Sequence, residues 1–303
     1  ELIDENYVVY AENGEDGLFR LKLFCVNPAV NLGEYLKKGR SAVFFSATLL
    51  PMNYYRKLLS NRQDDYGIYV ESPFSQKNRC ILNAGDVSSL YSRRGYEEYH
   101  KIAEYIARTV WQHKGNYMVF FPSYKMLEEV YAVYEEEFSV NWVKCICQNS
   151  SMKEQEREEF LQEFEQNQES LVAFCIMGGI FSEGIDLLGE KLIGAILVGT
   201  GLPQLGNERE ILRSFYSENG ENGFDYAYRY PGMNKVLQAA GRVIRTREDH
   251  GVILLLDERF RQREYSNLFP VEWNDRKTCT LSNVEVQLQK FWESIPDKIS
   301  HKL

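Results

Sequence analysis

The sequence predicts an α/β fold built on a doubly wound parallel sheet flanked by helices, and two patterns support that prediction. From about residue 117 onward, continuous apolar runs of strand length alternate with segments whose apolar residues recur at helical spacing. Strands buried on both faces of a sheet have continuous apolar sequences, and right-handed helical crossovers join such strands in parallel. The predicted strands are Tyr117–Phe121, Asn141–Cys147, Leu171–Ile176, Ile193–Gly199 and Gly251–Leu256.

Helices are predicted between these strands. Lys125–Phe138 carries apolar residues three or four positions apart, with glutamates on the other faces. Ser151 and Glu154 have the spacing of a capping box, which predicts a helix that buries Phe160. Lys235–Thr246 is a further helix candidate, directly before the last strand.

The first 75 residues follow another pattern, and a second irregular region interrupts the alternation. Two apolar runs flank a turn-forming Asn-Gly-Glu-Asp-Gly sequence, which predicts a β-hairpin. A short helix, a strand and a polar connector with Pro73 are expected to follow, and a long insertion rich in Gly, Asn and Tyr separates the strands near 199 and 251. In chain order these segments are the hairpin strands Tyr7–Tyr10 and Leu18–Phe24, the helix Leu32–Lys38, the strand Ala42–Ser46, the connector 61–80 and the insertion Leu202–Gly232.

Composition and charge limit the possible classes of protein. Of the 303 residues, 44% are hydrophobic, as in an ordinary soluble globular protein. The apolar runs are far shorter than the roughly 20 residues that a membrane span needs, and no basic-then-apolar signal peptide opens the chain. A net charge of −9 argues against a broad nucleic-acid footprint but is compatible with a narrow basic channel. The charged start without Met predicts a piece of a longer protein.

The six cysteines predict neither a metal site nor disulfides. None of them forms a C-x-x-C pair, the spacing typical of zinc and iron–sulfur sites. Free thiols in a chain of this size favour a reducing, cytoplasmic location.

Gln238, Arg242 and Arg245 form the first candidate for chemistry. On a helix, spacings of three and four residues would place all three side chains on one side. One amide and two fixed cations aimed at a single point suit the charge that develops on a transferring phosphoryl group. The alternative is a solvated basic helix end paired with Glu248 and Asp249.

A glycine-rich segment, Gly178–Asp186, directly follows the strand Leu171–Ile176. Glycines after a strand let backbone amides approach phosphates, and ligands of open α/β sheets sit at the carboxyl ends of strands. Glu183 and Asp186 would orient a ribose hydroxyl or cap a helix. The alternative is a simple turn.

Two further segments end predicted strands with hydroxyl groups. Ser123 and Tyr124 close Phe120–Tyr124, where Ser123 is placed to cap the next helix. Ser46 and Thr48 close the sequence Phe-Phe-Ser-Ala-Thr-Leu, which by itself carries little information.

In order, these four segments resemble motifs III to VI of superfamily 2 helicases, most closely those of the XPD/DinG family. The resemblance runs from about Asn27 to Phe260, and Gly251–Phe260, with Leu256-Asp-Glu-Arg-Phe260, extends the last match. The matching strings are Phe45-Ser-Ala-Thr-Leu49, Val119-Phe-Phe-Pro-Ser-Tyr124, Gly178-Gly-Ile-Phe-Ser-Glu-Gly-Ile-Asp186 and Gln238-Ala-Ala-Gly-Arg-Val-Ile-Arg245.

The resemblance implies a RecA-like fold and a division of the chain at about residue 75. Residues 1–75 would come from the edge of the first motor domain, with motif III, and residues 76–303 would form the second RecA-like domain. The implied function is the C-terminal half of an ATP-dependent DNA helicase that moves 5′ to 3′ on single-stranded DNA, in a DNA-repair setting. The implied partners are single-stranded DNA and the N-terminal motor domain of the same protein, with no membrane.

The resemblance also implies a role for each matched residue. Arg242 and Arg245 would contact the γ-phosphate of ATP, with Arg245 as the arginine finger, and Gln238 would sense the nucleotide or its attacking water. Glu183, Gly184 and Asp186 would belong to the nucleotide site and link it to DNA. Single-stranded DNA would pass Ser123 and Tyr124, and hydrolysis would be coupled to domain movement through Ser46 and Thr48.

The motifs that are missing imply that this chain is inactive alone. It has no G-x-x-x-x-G-K-[ST] loop and no acidic tetrapeptide of the D-E-A-H kind, so ATP and Mg²⁺ would be bound mainly by the other half. The family's iron–sulfur cysteines belong to that half as well, so no cluster and no other metal is expected in this chain.

Two other classes of protein remain open from the residues. A DNA-binding or regulatory module with a decayed motor would have no reason to keep Gln238, Arg242 and Arg245. A dinucleotide-dependent oxidoreductase needs G-x-G-x-x-G at the start of a helix, and Gly178-Gly179-x₄-Gly184 does not supply it. The aromatic residues of the insertion are expected to pack inward and are left out of the DNA site.

Overall fold

The computed structural model describes residues 4–14, 16–60, 62, 64–166, 169–182, 187 and 189–296. In chain order its strands are β1 (Tyr7–Asn13), β2 (Phe19–Cys25), β3 (Arg79–Ala84), β4 (Asn116–Phe121), β5 (Val143–Cys147), β6 (Ser170–Ile176), β7 (Gly194–Val198), β8 (Gly251–Leu256) and β9 (Lys277–Cys279). The helices are α1 (Ala29–Leu36), α2 (Met52–Leu59), α3 (Tyr96–Val110), α4 (Tyr124–Glu137), α5 (Glu154–Gln166), α6 (Asn207–Glu218), α7 (Tyr230–Ala240), α8 (Arg263–Ser266) and α9 (Val284–Ser294).

The chain separates into two compact units. The smaller unit combines the residues up to Val70 with Pro203–Pro231, and the larger one combines Glu71–Leu202 with the residues from Gly232 onward. The long insertion therefore packs in the same unit as the N-terminal segment.

The smaller unit contains the predicted β-hairpin. Strands β1 and β2 pair antiparallel from Tyr7 opposite Cys25 to Asn13 opposite Phe19, which confirms the hairpin. The aromatic residues of the insertion pack inside this unit: Tyr216 stacks on Tyr226 with ring centroids 4.1 Å apart, and Tyr226 also contacts Tyr54 of α2. This confirms that these rings pack inward.

The strand predicted at Ala42–Ser46 is wrong. Residues 41–46 form no strand, and the side chains of Val43 and Phe45 are 83% and 90% exposed. An apolar strand needs a neighbouring strand for its backbone hydrogen bonds, and no described strand pairs with this segment.

The larger unit contains the parallel sheet that the sequence predicts. Among the described residues it has seven strands in the order β5-β6-β4-β7-β8-β3-β9, and every described pairing is parallel. Helices α3, α4 and α9 bury their apolar faces against one side of the sheet, where Ile106, Tyr134 and Leu288 belong to its hydrophobic core. The fold class is confirmed: an α/β, RecA-like sheet flanked by helices.

Two strands of this sheet escaped the sequence analysis. The polar connector predicted at 61–80 ends in β3, and β9 is only three residues long at the sheet edge. The apolar run of β3 is only three residues long, Cys80–Leu82, and it lies between the buried polar residues Arg79 and Asn83. Pairing with β8 and β9 makes this segment a strand, so tertiary contacts override its local pattern.

The helix after β5 begins differently from the prediction. Ser151 does not cap it, because the Ser151 hydroxyl hydrogen-bonds Asn149 Oδ1 at 3.1 Å and the helix starts at Glu154. Instead, Glu156 reaches back and accepts a hydrogen bond from the backbone N–H of Lys153. Phe160 is buried as expected.

Candidate functional site

Two of the four candidate segments lie side by side at the carboxyl edge of the sheet. Ser123 follows β4 and Gly178 follows β6, and these strands are neighbours with Phe121 opposite Ile176. The backbone N–H of Met177 donates to Phe121 O at 2.8 Å, so the two chain segments are still joined where the strands end. In open parallel sheets this edge is where ligands bind.

Ser123 caps α4, as the sequence predicts. Its Oγ accepts a hydrogen bond from Met126 N at 3.3 Å. The next side chain, Tyr124, is partly exposed, and its hydroxyl accepts a hydrogen bond from Gln148 Nε2 at 3.0 Å.

Gln148 connects the two segments, and the sequence analysis missed it. This residue is 5% exposed and directly follows β5. Its amide nitrogen donates to the Tyr124 hydroxyl, and its amide oxygen accepts from Ile176 N at 2.9 Å. Gln148 therefore fixes Tyr124 relative to the start of the glycine-rich loop. Its position directly after a predicted strand was the available signal.

The glycine-rich loop starts in a conformation that requires glycine. Gly178 has φ +74°, and a Cβ there would lie 2.7 Å from the Lys235 side chain of α7. Farther along, Ser182 folds back on Gly179 through hydrogen bonds from its backbone N–H and its hydroxyl, at 2.9 and 2.7 Å. Glu183, Gly184 and Asp186 lie outside the described residues.

Arg242 binds this loop. Its guanidinium donates to the Ser182 carbonyl from Nε at 3.2 Å and from Nη2 at 2.7 Å, and the residue is only 9% exposed. The loop and the segment from Lys235 to Asp249 thus run alongside each other, with Gly178 against Lys235 and Ser182 against Arg242. Farther along, the backbone of Gly189 hydrogen-bonds Asp249.

The helix predicted at Lys235–Thr246 ends earlier than expected. The prediction that the two arginines share one helical face is wrong. Helix α7 ends at Ala240, with Gln238 half-buried in its last turn. Arg242 and Arg245 follow in a non-helical turn, where Arg242 is buried and Arg245 is exposed. Glycine at 241 weakens helix continuation.

Asp249 holds that turn in place. Its carboxylate accepts hydrogen bonds from the backbone N–H groups of Arg245 and Thr246 and from the Thr246 hydroxyl, each at 2.7 Å. Burial raises the pKa of Asp249, but these hydrogen bonds outweigh it and keep the pKa below its usual value. The carboxylate is therefore ionised at neutral pH and fixes the backbone at Arg245.

Ser46 and Thr48 lie in the smaller unit. Thr48 N donates to Ser46 Oγ at 3.2 Å, and the two hydroxyl oxygens are 3.3 Å apart. They form a local hydrogen-bonded turn after the irregular segment 41–46.

A second group of polar residues lies beyond the ends of β3 and β8. The sequence analysis placed Asp257 and Arg259 in the extension of the last matched string without a role, and it missed Ser89. Asp257 is fully buried, and both its oxygens bind Arg259, Oδ1 with Nε at 2.8 Å and Oδ2 with Nη2 at 2.9 Å. The Ser89 hydroxyl donates to Asp257 Oδ2 at 2.6 Å. Burial raises the pKa of Asp257, but Arg259 and Ser89 outweigh that effect and lower it.

Among the described residues, neither a metal site nor a membrane-spanning helix is found. Within the described ranges no group of three His, Cys, Asp or Glu side chains has the geometry of a metal site. No helix in this part of the chain is long and apolar enough to span a membrane.

Comparison with known proteins gives the class of this chain. The model of the helicase C-terminal domain family matches residues 106–276, more than half of the sequence. The chain therefore belongs to the helicase C-terminal domain family, which confirms the XPD/DinG-type superfamily 2 resemblance of its motifs.

Its relatives are helicases that are longer than this chain. A regulator of telomere elongation helicase 1 homolog from Aedes aegypti is 28% identical over 263 residues, covering 79% of this chain and 26% of that protein. The homolog from Culex quinquefasciatus is 26% identical and covers 90% of this chain and 30% of that protein. A probable ATP-dependent helicase of Methanocaldococcus jannaschii is 25% identical and covers 85% and 40%. The chain thus spans between about a quarter and two fifths of the length of these relatives.

Solved structures share the fold. An XPD helicase structure superposes with a TM-score of 0.63 at 18% identity, covering 91% of this chain and 48% of that one. A structure of XPD in the apo form gives 0.64 at 20% identity, covering 91% and 55%. These likenesses establish the architecture of the sheet and its helices.

Proposed function

We propose that this chain is the second motor half of an ATP-dependent DNA helicase that couples ATP hydrolysis to movement along single-stranded DNA, in the 5′ to 3′ direction. One observation carries the proposal most directly: the Arg242 guanidinium holds the glycine-rich loop at Ser182, while Arg245, three residues later, is exposed. Membership in the helicase C-terminal domain family and helicase relatives support it.

In this proposal the exposed cation is the arginine finger. The turn that Asp249 fixes presents Arg245 to solvent, where its guanidinium would bind the γ-phosphate of ATP. The amide of Gln238, in the last turn of α7, would bind the attacking water or the phosphate. Guanidinium and amide groups are suited to a polyphosphate, so these residues fit ATP. Bound ATP would supply the free energy for movement.

For Arg242 we propose a positioning role beside the γ-phosphate contact that the family resemblance implies. Its guanidinium is buried against the Ser182 carbonyl, so it would position the loop that carries Glu183, Gly184 and Asp186. The described start of that loop, at Gly178, lies beside the carboxyl end of β4, where Ser123 and Tyr124 would contact single-stranded DNA. The loop would thereby link the nucleotide site to the DNA.

The proposal assigns the remaining parts to the rest of the protein. Residues 1–75 would belong to the edge of the first motor domain, where Ser46 and Thr48 would couple hydrolysis to domain movement, and residues 76–303 would form the second domain. The N-terminal motor domain would bind the β- and γ-phosphates and Mg²⁺ and would hold any iron–sulfur cluster. The chain alone would therefore be folded but would not turn over ATP.

The test is ATP hydrolysis by the full-length protein with and without single-stranded DNA, for wild type, Arg245→Ala and Arg247→Ala. Arg247 is an exposed cation two residues away and serves as the matched charge control. We expect DNA-stimulated turnover that falls by roughly 10³–10⁵ in Arg245→Ala and is unchanged in Arg247→Ala. If turnover does not depend on Arg245, the protein is still a motor but its arginine finger is another residue. If the wild type does not hydrolyse ATP, a DNA-binding module with a decayed motor is favoured.

Direction needs a separate measurement. Duplexes with a single-stranded 5′ tail should be unwound and those with a 3′ tail should not. The reverse preference would contradict the proposed direction without affecting the motor assignment.

A further inference from the structure

We infer that a pocket at the carboxyl edge of the sheet binds one phosphodiester group of the single strand, through Arg94, Thr200 and Arg259. The inference rests on the proposed function, because it takes single-stranded DNA as the ligand. Arg94 and Thr200 lie outside the matched helicase strings, and Arg259 lies in the extension of the last one, where the resemblance assigns it no role.

The pocket lies where several neighbouring strands end. Its lining includes Pro122 after β4, Thr200 and Gly201 after β7, and Arg259 after β8. Ser89 and Arg94 close it from the segment that follows β3. Its volume is about 180 Å³, many times the roughly 10–15 Å³ that one water needs, which leaves room for a phosphate with its ester oxygens.

Two polar groups of the pocket lack partners within the described part of the chain. Thr200 is 1% exposed, and its hydroxyl has no hydrogen-bond partner there. The Nε of Arg94 is also buried without a described partner, while its guanidinium lies 5.3 Å from the centre of the Tyr91 ring. A buried polar group left without a partner destabilises the fold, so a ligand that accepts hydrogen bonds from both groups would remove that cost.

The third group is held in position before any ligand binds. Arg259 forms a two-point pair with buried Asp257, and its Nη2 is also 2.9 Å from Ser89 Oγ. A guanidinium fixed in this way loses little side-chain entropy when it binds an anion. Arg259 and Asp257 cancel in charge, so Arg94 gives the pocket its net positive charge, which favours an anion.

The position selects a nucleic-acid phosphate over the phosphates of ATP. Pro122 is next to Ser123, so the pocket continues from the proposed DNA contact along the carboxyl edge of β4, β7 and β8. Adjacent strands are about 4.8 Å apart, so this row spans about 10 Å. Arg245 instead precedes β8, whose six residues place it roughly 20 Å away from the pocket at the other end of the strand.

The test is binding of fluorescent single-stranded DNA to the full-length protein over a series of salt concentrations. For Arg94→Ala we expect weaker binding and a slope of log K against log salt that is shallower by about 0.7, the value for one phosphate on a single strand. Lys290→Ala, which removes an exposed cation of α9 that does not line the pocket, should leave the slope unchanged.

Thr200 supplies a second, neutral test. Thr200→Val should weaken DNA binding by about tenfold, the loss of a hydrogen bond to a charged group, without changing the salt slope. Thr200→Ser should bind as wild type. Because the Thr200 hydroxyl has no described partner, Thr200→Val should leave the melting temperature unchanged or raised, so a loss of DNA binding cannot be ascribed to misfolding.

The outcomes separate the inference from the proposed function. Failure of wild type to bind single-stranded DNA would overturn the proposed function. Tight wild-type binding with an unchanged slope in Arg94→Ala and unchanged affinity in Thr200→Val would overturn only the pocket. Stabilisation by inorganic phosphate that depends on Arg94, with DNA affinity unaffected, would identify a free-phosphate site and would also overturn the DNA assignment.

Discussion

The Arg242 guanidinium donates two hydrogen bonds to the main-chain carbonyl of Ser182, 60 residues earlier in the chain. The contact joins the turn after α7 to the glycine-rich loop after β6, so two of the four matched segments are in direct contact. It also distinguishes two arginines that look alike in sequence, since Arg242 is buried and Arg245 is exposed.

This difference in burial predicts that substitution of Arg242 lowers the stability and that substitution of Arg245 does not. Arg242→Ala should lower the free energy of unfolding by about 1.5–3 kcal/mol, because charge-assisted hydrogen bonds are lost from a buried site. Arg245→Ala should stay within about 0.5 kcal/mol of wild type, as expected for a surface substitution. Urea denaturation of the chain measures both, and equal stabilities would contradict the structural role of Arg242.

The Ser123 cap predicts a modest loss of stability that is separable from DNA binding. Ser123→Ala should cost about 1 kcal/mol, because the N–H of Met126 loses its partner at the start of α4. Ser123→Asp should retain the cap and most of the stability, whereas its added negative charge should weaken binding of single-stranded DNA. If Ser123→Asp is as unstable as Ser123→Ala in denaturant titrations, the cap is not what Ser123 contributes.

The buried pair of Asp257 and Arg259 predicts a dependence of stability on pH. The pKa of Asp257 is lowered in the folded chain, so its contribution is complete above the unfolded value of about 3.9 and is lost as pH falls through the lowered value. Asp257→Asn should lower the free energy of unfolding by about 3–5 kcal/mol near pH 7. The substitution leaves the largely buried Arg259 side chain, which is 13% exposed, without its counter-charge.

The matching measurement is the unfolding free energy of wild type and Asp257→Asn from pH 7 down to about pH 2. The gap between them should be constant down to about pH 4 and should narrow below it. A gap that stays constant to pH 2 would show that Asp257 does not titrate with folding in this range.

A Cβ added at Gly201 is expected to clash with its surroundings, and substitution of Gly220 serves as the control without a clash. Gly201 has φ +67°, and an added Cβ would lie 2.5 Å from Gly232 O, a backbone atom that cannot move aside easily. Gly220 has a similar φ of +80° but open space around the added Cβ. Gly201→Ala should therefore be destabilising by more than Gly220→Ala, which carries only the backbone strain of about 1 kcal/mol. Equal melting temperatures of the two variants would contradict the close packing around Gly201.

Some features of the site were predictable because they depend on neighbours in sequence. The cap at Ser123 needs only a hydroxyl three residues before a free backbone N–H. The hairpin needs only two apolar runs on either side of a turn-forming sequence. The helix after β5 shows the limit of such patterns, since Ser151 and Glu154 have capping-box spacing but Ser151 bonds Asn149 instead.

Other features depend on residues that are far apart in sequence. Gln148 lies between Tyr124 and Ile176 because three strand ends meet at one edge, and Asp257 binds Ser89 across 168 residues. After the end of helix α7, the turn is held by hydrogen bonds. The Arg242 guanidinium donates to the Ser182 carbonyl, and the backbone N–H of Arg245 donates to the Asp249 carboxylate. The spacing of residues within one segment cannot indicate such partners, because they lie in other segments.

The sequence alone therefore determined the class of fold and the family. Apolar runs that alternate with helical segments suffice for a parallel α/β sheet, and four motifs in order suffice for a helicase half, because both signals are local and repeated along the chain. Only the tertiary structure decided which arginine is exposed, that the short run of Arg79–Ala84 becomes β3, and that Arg94, Thr200 and Arg259 share one pocket. The physical reason is that burial and hydrogen-bond partners are set by packing between distant segments, and a side chain's chemistry depends on both.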